Sequence, residues 1–214
     1  MGLFGVADGV GGLPFGAQAA QCVVDSLRSQ ISRKPLVEPN DWQEQIHQSN
    51  ERVFLLGQML SPSTGIASTC TCGLLWGAEL WLAHVGDSRC YLVRGETVRC
   101  LTEDHSAENE ARRNPDQPAP EEKWKLALVR VMGQPDAAQP DITRHAMEPG
   151  DHLLFATDGI TRVIGDAEFP ALIVGATAPA ERLAQLIELT NDRGGPDNAT
   201  AVLVEVLSPS THDE

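Results

Sequence analysis

Between residues 66 and 101 the chain is a succession of short β-branched or apolar segments: 66–76, 79–85, 89–94 and 97–101. Only Gly77-Ala78, Gly86-Asp87-Ser88 and Gly95-Glu96 separate them. Strands this closely spaced, joined by tight turns, predict an antiparallel meander. The segments on either side have a different texture. Ala17, Ala20, Val23, Val24, Leu27 and Ile31 fall at helical spacing and stop before Pro35, and Trp42, Ile46, Val53, Leu56 and Leu60 repeat the pattern with Asp41 as a candidate cap. Ser61-Pro62-Ser63-Thr64-Gly65 breaks that second helix. Residues 3–7 read as a buried strand entering a glycine-rich turn, 102–122 as a polar, mobile excursion, and 123–132 as a short helix closed by Gly133. Strands at 141–147, 151–157 and 199–206 and a helix around 180–192 complete the chain. Helices and strands arrive in blocks rather than in strict alternation. The expectation is a single α+β domain over residues 1–206 with antiparallel sheets, followed by a polar tail at 207–214.

Composition excludes several functions. The 214 residues carry 16 Lys and Arg against 30 Asp and Glu, a formal net charge of −14, which argues against nucleic acid and against anionic lipid. Five cysteines without repeated CxxC pairs give neither a disulfide framework nor a zinc finger. Cys70 and Cys72 lie two apart, where a strand places both on one face, and read as buried apolar thiols in a reducing compartment. No run approaches the roughly 18 uncharged apolar residues of a membrane span. The first residues have no basic n-region, so the expected location is the cytoplasm.

Three places share one grammar, an apolar strand, then aspartate, then glycine or asparagine: Val6-Ala7-Asp8-Gly9, Ala156-Thr157-Asp158-Gly159 and Gly195-Pro196-Asp197-Asn198. Strand ends are rigid, and the turns after them let backbone carbonyls approach a ligand closely. Carboxylates converging there would repel one another unless a cation sat between them, and oxygen donors select magnesium or manganese. Two such ions sharing a water acidify it for attack on phosphorus. Asp-Gly is also a common turn dipeptide, and spacing alone does not establish convergence.

The runs Phe4-Gly5-Val6-Ala7-Asp8-Gly9-Val10-Gly11-Gly12, Ala83-His84-Val85-Gly86-Asp87-Ser88-Arg89, Leu101-Thr102-Glu103-Asp104-His105-Ser106, Leu154-Phe155-Ala156-Thr157-Asp158-Gly159 and Gly194-Gly195-Pro196-Asp197-Asn198-Ala199-Thr200 occur in this order. Together they resemble the motifs of the type 2C, metal-dependent serine/threonine protein phosphatases, in their bacterial branch. The resemblance implies a four-layer β-sandwich, two antiparallel sheets flanked by helices. It implies two Mn2+ or Mg2+ ions, with Asp8 bridging both, the Gly9 carbonyl on the second, and Asp158 and Asp197 completing the first. Asp104, together with Asp158, would hold a third. The implied substrates are phosphorylated proteins, products of a serine/threonine kinase, and the expected state is a monomer. Residues 107–123 fall where bacterial relatives carry a mobile flap.

Departures from the family pattern set further expectations. Relatives have a strand pair before the first aspartate motif, with an arginine that grips the phosphate and an Asn-Glu-Asp element; here Met1 stands only seven residues before Asp8. Arg28 and Arg33 lie on a helix and do not match that arginine, so no phosphate-binding arginine is assigned. The expectation is a sandwich without its amino-terminal strands and a weak phosphatase. The alternative is a non-catalytic, phosphoprotein-binding member with an incomplete metal pair. Arg162 stands where the family often has another acid for the third metal, and a cation there opposes an adjacent one. Val10 occupies a position that is histidine in many eukaryotic members and apolar in bacterial ones. His84 and the Asp87-Ser88-Arg89 turn read as architectural, in a strand and its hairpin. His105 reads as a residue that orients its segment, His47 as exposed, and Trp76 and Trp81 as packing residues.

Overall fold

A computed structural model describes residues 2–33, 39–114, 116 and 118–207; of the polar tail, 208–214 lie outside the described residues. Eight strands form two four-stranded antiparallel sheets. The first sheet holds β1 (Gly2–Val6), β2 (Cys70–Trp76), β3 (Glu79–Val85) and β6 (Asp141–Ala146) in the order β1-β2-β3-β6. The second holds β4 (Arg89–Arg94), β5 (Thr97–Cys100), β7 (His152–Ala156) and β8 (Ala201–Glu205) in the order β5-β4-β7-β8.

Period-two alternation explains why the sheets stack. Leu80 and Leu82 of β3, Cys90 and Leu92 of β4, and Leu153 and Phe155 of β7 meet in one core between the sheets. The intervening residues point outward and are buried as well. Trp81, Ala83 and Val85 pack with Cys70, Cys72 and Leu74 beneath α1 (Gly16–Arg33) and α2 (Pro39–Leu60). Tyr91, Val93, Leu154 and Ala156 pack beneath α5 (Phe169–Ile173) and α6 (Pro179–Asp192). The result is four layers, helices–sheet–sheet–helices. The thiols of Cys70 and Cys72 are buried on one face of β2, free, with their sulfurs 3.8 Å apart.

Three expectations need correction. Residues 66–101 are not one meander: β2 and β3 form a hairpin in the first sheet, whereas Gly86-Asp87-Ser88 carries the chain into the second sheet, where β4 and β5 pair. Both β3 and β4 are covered on two sides, and a single continuous meander would leave one side of each to solvent. Residues 123–132 are not a helix. After a 3-10 turn at Glu122–Trp124 the chain runs on through turns and bends, with Leu128 bridged to Ser106 and Met132 bridged to Ser68, so pairing with distant backbone takes the place of a continued helix. The polar stretch 102–122 is partly ordered as α3 (Ala107–Arg113), whose first turn is capped by the Ser106 hydroxyl accepting from the Asn109 N–H at 3.3 Å. The remaining helix, α4 (Asp158–Thr161), is a single turn directly after β7.

Candidate active site

The strand–aspartate–turn segments come together because they lie at the same end of the sandwich, on strands of both sheets. After β1 the chain stays tied to the segment that precedes β2. The Asp8 N–H donates to Thr69 Oγ1 at 2.9 Å, and its carbonyl accepts from the Thr69 N–H at 2.7 Å and the Ser68 hydroxyl at 2.9 Å. On the second sheet, the Thr157 N–H donates to the Thr200 carbonyl and the Thr200 N–H to Thr157 Oγ1, both at 3.0 Å, which fixes the segment carrying Asp197 beside the one carrying Asp158. The glycines after the aspartates permit close approach rather than unusual torsions. A Cβ on Gly9 would collide with the backbone of Gly16 at the start of α1, and one on Gly159 would collide with the carbonyl of Asn198.

A cleft of about 520 Å³ lies over these segments, lined by Asp8, Gly9, Asp87, Asp158, Arg162 and Asp197, with Val10, Leu126, Leu128 and Val131 among its apolar walls. Of the residues singled out in the sequence, the cleft therefore brings together Asp8, Gly9, Asp158 and Asp197. Asp104 is not in its lining: both carboxylate oxygens accept from Arg89, Oδ1 from Nε and Oδ2 from Nη2, each at 2.8 Å. Asp87 and Arg162 join the site from positions assigned to architecture or to a missing ligand. Asp87 arrives because its turn switches sheets, and Arg162 because it follows Asp158 by one helical turn.

The electrostatics follow from crowding like charges in a half-buried cleft. Burial first, and then the Asp158 and Asp197 carboxylates, push the Asp8 carboxyl up from 3.8 to about 6. Burial, Asp158 and Asp104 push Asp87 up to about 6 as well. Asp158 is raised by burial and by Asp197, against the opposing pull of Arg162. Its Oδ2 pairs with Arg162, while its Oδ1 is buried with no hydrogen-bond partner. Among the described residues no three acidic, histidine or cysteine side chains form a closed metal-binding group. The orphaned Asp158 oxygen, the raised carboxyls and an all-oxygen donor set nonetheless fit a hard divalent cation.

The histidines stand aside from this chemistry. His84 is buried and held neutral, its value lowered to about 3 chiefly by burial, with Nδ1 2.8 Å from Thr71 Oγ1. His105 is buried too; its Nδ1 accepts from the Gly86 N–H at 3.1 Å and its ring lies 4.6 Å from that of His84. It thus fixes the turn that carries Asp87. His47 is half-buried on α2, Trp81 is buried, and Trp76 is 42% exposed beside it.

Comparison with known proteins places this geometry. The family model for protein phosphatase 2C matches residues 1–187. The chain is 32% identical over 206 residues to a putative protein phosphatase 2C-type of Streptococcus pyogenes, covering 93% of this chain and 83% of the relative. It is also 32% identical over 211 residues to the protein phosphatase PhpP of Streptococcus pneumoniae, covering 94% and 84%. Among solved structures, the serine/threonine phosphatase Stp1 of Staphylococcus aureus superposes with a TM-score of 0.85 at 27% identity, covering 97% of this chain and 88% of that one. The catalytic domain of PstP, solved in complex with two manganese ions, superposes with a TM-score of 0.80 at 28% identity, covering 96% and 88%.

Proposed function

The chain belongs to the protein phosphatase 2C family and is a serine/threonine protein phosphatase, and on that footing we propose that its acidic cleft hydrolyses phosphoserine and phosphothreonine esters with Mn2+ or Mg2+, two per site, as cofactor. Asp8, the Gly9 carbonyl, Asp158 and Asp197 are the residues that would hold the cations. When bound there, such ions activate a water for in-line attack on phosphorus and offset the phosphoryl charge. The protein's own contribution is position. Three hydrogen bonds fix the backbone of Asp8, and the paired Thr157–Thr200 bonds hold Asp158 and Asp197 side by side. Leu126, Leu128 and Val131 form an apolar wall on one side of the cleft. The substrates are phosphorylated proteins. In this reading the substrate pool is cytoplasmic. No helix among the described residues is long and apolar enough to cross a membrane. The non-catalytic alternative has no observation in its favour.

One observation carries this reading: aspartates from the strand ends of both sheets line a single cleft in which a buried oxygen of Asp158 has no partner. The test is hydrolysis of a phosphothreonine peptide with and without manganese, by the parent and by Asp158→Asn and Asp197→Asn. Each substitution should lower kcat by about 100-fold or more, the scale on which removal of one organising group in an electrostatic site is felt. Near-parental activity of Asp158→Asn at saturating manganese would overturn the assignment.

A further inference from the structure

Four carboxylates line the cleft, Asp8, Asp87, Asp158 and Asp197, and Arg162 is the sole cation among its described lining residues. Its guanidinium pairs with Asp158 and stands 3.8 Å from Asp87 Oδ2. Both contacts run through Nη2. The side chain is 47% exposed and so has room to move, while its backbone N–H is fixed on the Asp158 carbonyl at 2.9 Å.

A phosphoryl group brings up to two negative charges into this acidic cleft, and cations must meet it. Arginine is suited to that task because its planar fork offers parallel N–H donors to two phosphoryl oxygens. Arg162 cannot give Nη2 fully to Asp158 and to a phosphate at once. A divalent cation on Asp158 would weaken the hold of that carboxylate on the guanidinium, because two cations then compete for the same anion. We propose that Arg162 is a phosphate-contacting residue kept in reserve on Asp158: cation binding frees its guanidinium, which then binds the phosphoryl oxygens of the substrate. The same competition makes Arg162 an internal rival of the metal, so it tunes how much manganese the site needs. This inference rests on the phosphatase reading of the cleft.

The test compares the parent with Arg162→Ala and Arg162→Lys by calorimetry, which does not depend on turnover. Manganese is titrated into the metal-free proteins, and inorganic phosphate into the manganese-loaded ones. Arg162→Ala should bind manganese about tenfold more tightly and inorganic phosphate about tenfold more weakly, a factor that corresponds to about 1.4 kcal/mol. Arg162→Lys, which keeps the charge without the fork, should fall between them for phosphate. In turnover assays the Ala variant should show the loss mainly as a higher KM for p-nitrophenyl phosphate. Unchanged affinity for both ligands would make Arg162 a surface partner of Asp158 and nothing more. Weaker manganese binding in Arg162→Ala would show that the arginine aligns Asp158 instead of competing for it, and would equally overturn the proposal. If the parent binds both ligands but cleaves no phosphoester, the phosphatase reading fails while the calorimetry still decides the role of Arg162. Circular dichroism confirms that each variant is folded; the exposed side chain gives no reason for it not to be.

Discussion

Replacing Asp8 by asparagine should make the metal-free protein more stable while abolishing its activity. In the folded chain the Asp8 carboxyl titrates at about 6 instead of 3.8, because burial and the Asp158 and Asp197 carboxylates disfavour its charged form. A folded value above the unfolded one favours the protonated folded state. Stability is therefore highest below the unfolded value, falls as the pH rises from about 4 to about 6, and above that stays reduced by the full amount. A displacement of about two units corresponds to at most about 3 kcal/mol. Asp8 is only half-buried, and solvent screening brings the expected figure to about 1 kcal/mol. Asparagine keeps the shape and removes the charge. For a chain of this length that amounts to a rise in Tm of about 2–4 °C, measured near pH 7.5 in the presence of EDTA. The difference should shrink towards zero near pH 4, where the parental carboxyl is protonated too. Saturating manganese should reverse the order, because only the parent gains the full stabilisation of binding. Thermal denaturation of both proteins at pH 4, 6 and 7.5, with EDTA and with manganese, checks each part. If the asparagine variant is no more stable than the parent at pH 7.5 without metal, the cleft carboxylates are not in mutual conflict and the reasoning fails.

Thr69→Val removes the acceptor of the Asp8 N–H and the 2.9 Å hydroxyl contact with Ser88. It should cost about 1–3 kcal/mol, the scale of a buried polar group left unsatisfied, and lower kcat through a displaced Asp8; urea denaturation alongside kinetics would show whether only one of the two changes. Shortening the loop between α3 and the 3-10 turn, residues 114–121, should alter rates on phosphopeptides more than on p-nitrophenyl phosphate, because this segment leads into the Leu126–Val131 wall of the cleft. An equal loss on both substrates would assign the loop to support of the aspartates.

Asp8 and Asp158 are legible in the sequence because two local signals coincide there, an apolar strand that stops and a glycine that lets the chain turn; Asp197 does not end a strand as expected but lies in the turn between α6 and β8. Asp87 carries the same signal, since Val85-Gly86-Asp87 also closes an apolar strand, but a short glycine turn reads as a hairpin and hides it. Whether such a turn closes a hairpin or changes sheets depends on what covers the strands, which lies far away in sequence: Phe155 on one side of β3 and the helices α1 and α2 on the other. The misread helix at 123–132 has a similar origin. Its composition permits a helix locally, but Ser68 and Ser106 provide pairing that no window around Leu128 contains. Arg162 carries the wrong charge for a metal ligand. Its pairing with Asp158 was within reach of the sequence, because i and i+4 share a helix face; that it also faces Asp87 was not.

Order in the site is supplied by the backbone, and the conflict is left to the side chains. Asp8 N–H and C=O, the Thr157–Thr200 pair and the Gly86–His105 pair are all satisfied by hydrogen bonds between segments distant in sequence, whereas the carboxylates they carry repel one another across the cleft. A satisfied backbone at the end of a buried strand cannot relax to separate those charges without breaking ladder bonds of the sheet. The repulsion therefore persists in the folded metal-free protein, and the three apolar cores must outweigh it. This is also why Arg162 matters beyond any contact with substrate. One guanidinium against four carboxylates pulls against the repulsion at both Asp158 and Asp8 without reversing it at either. The carboxyls of Asp8, Asp87 and Asp158 all stay raised despite it, and an incoming cation would relieve the repulsion that remains among them.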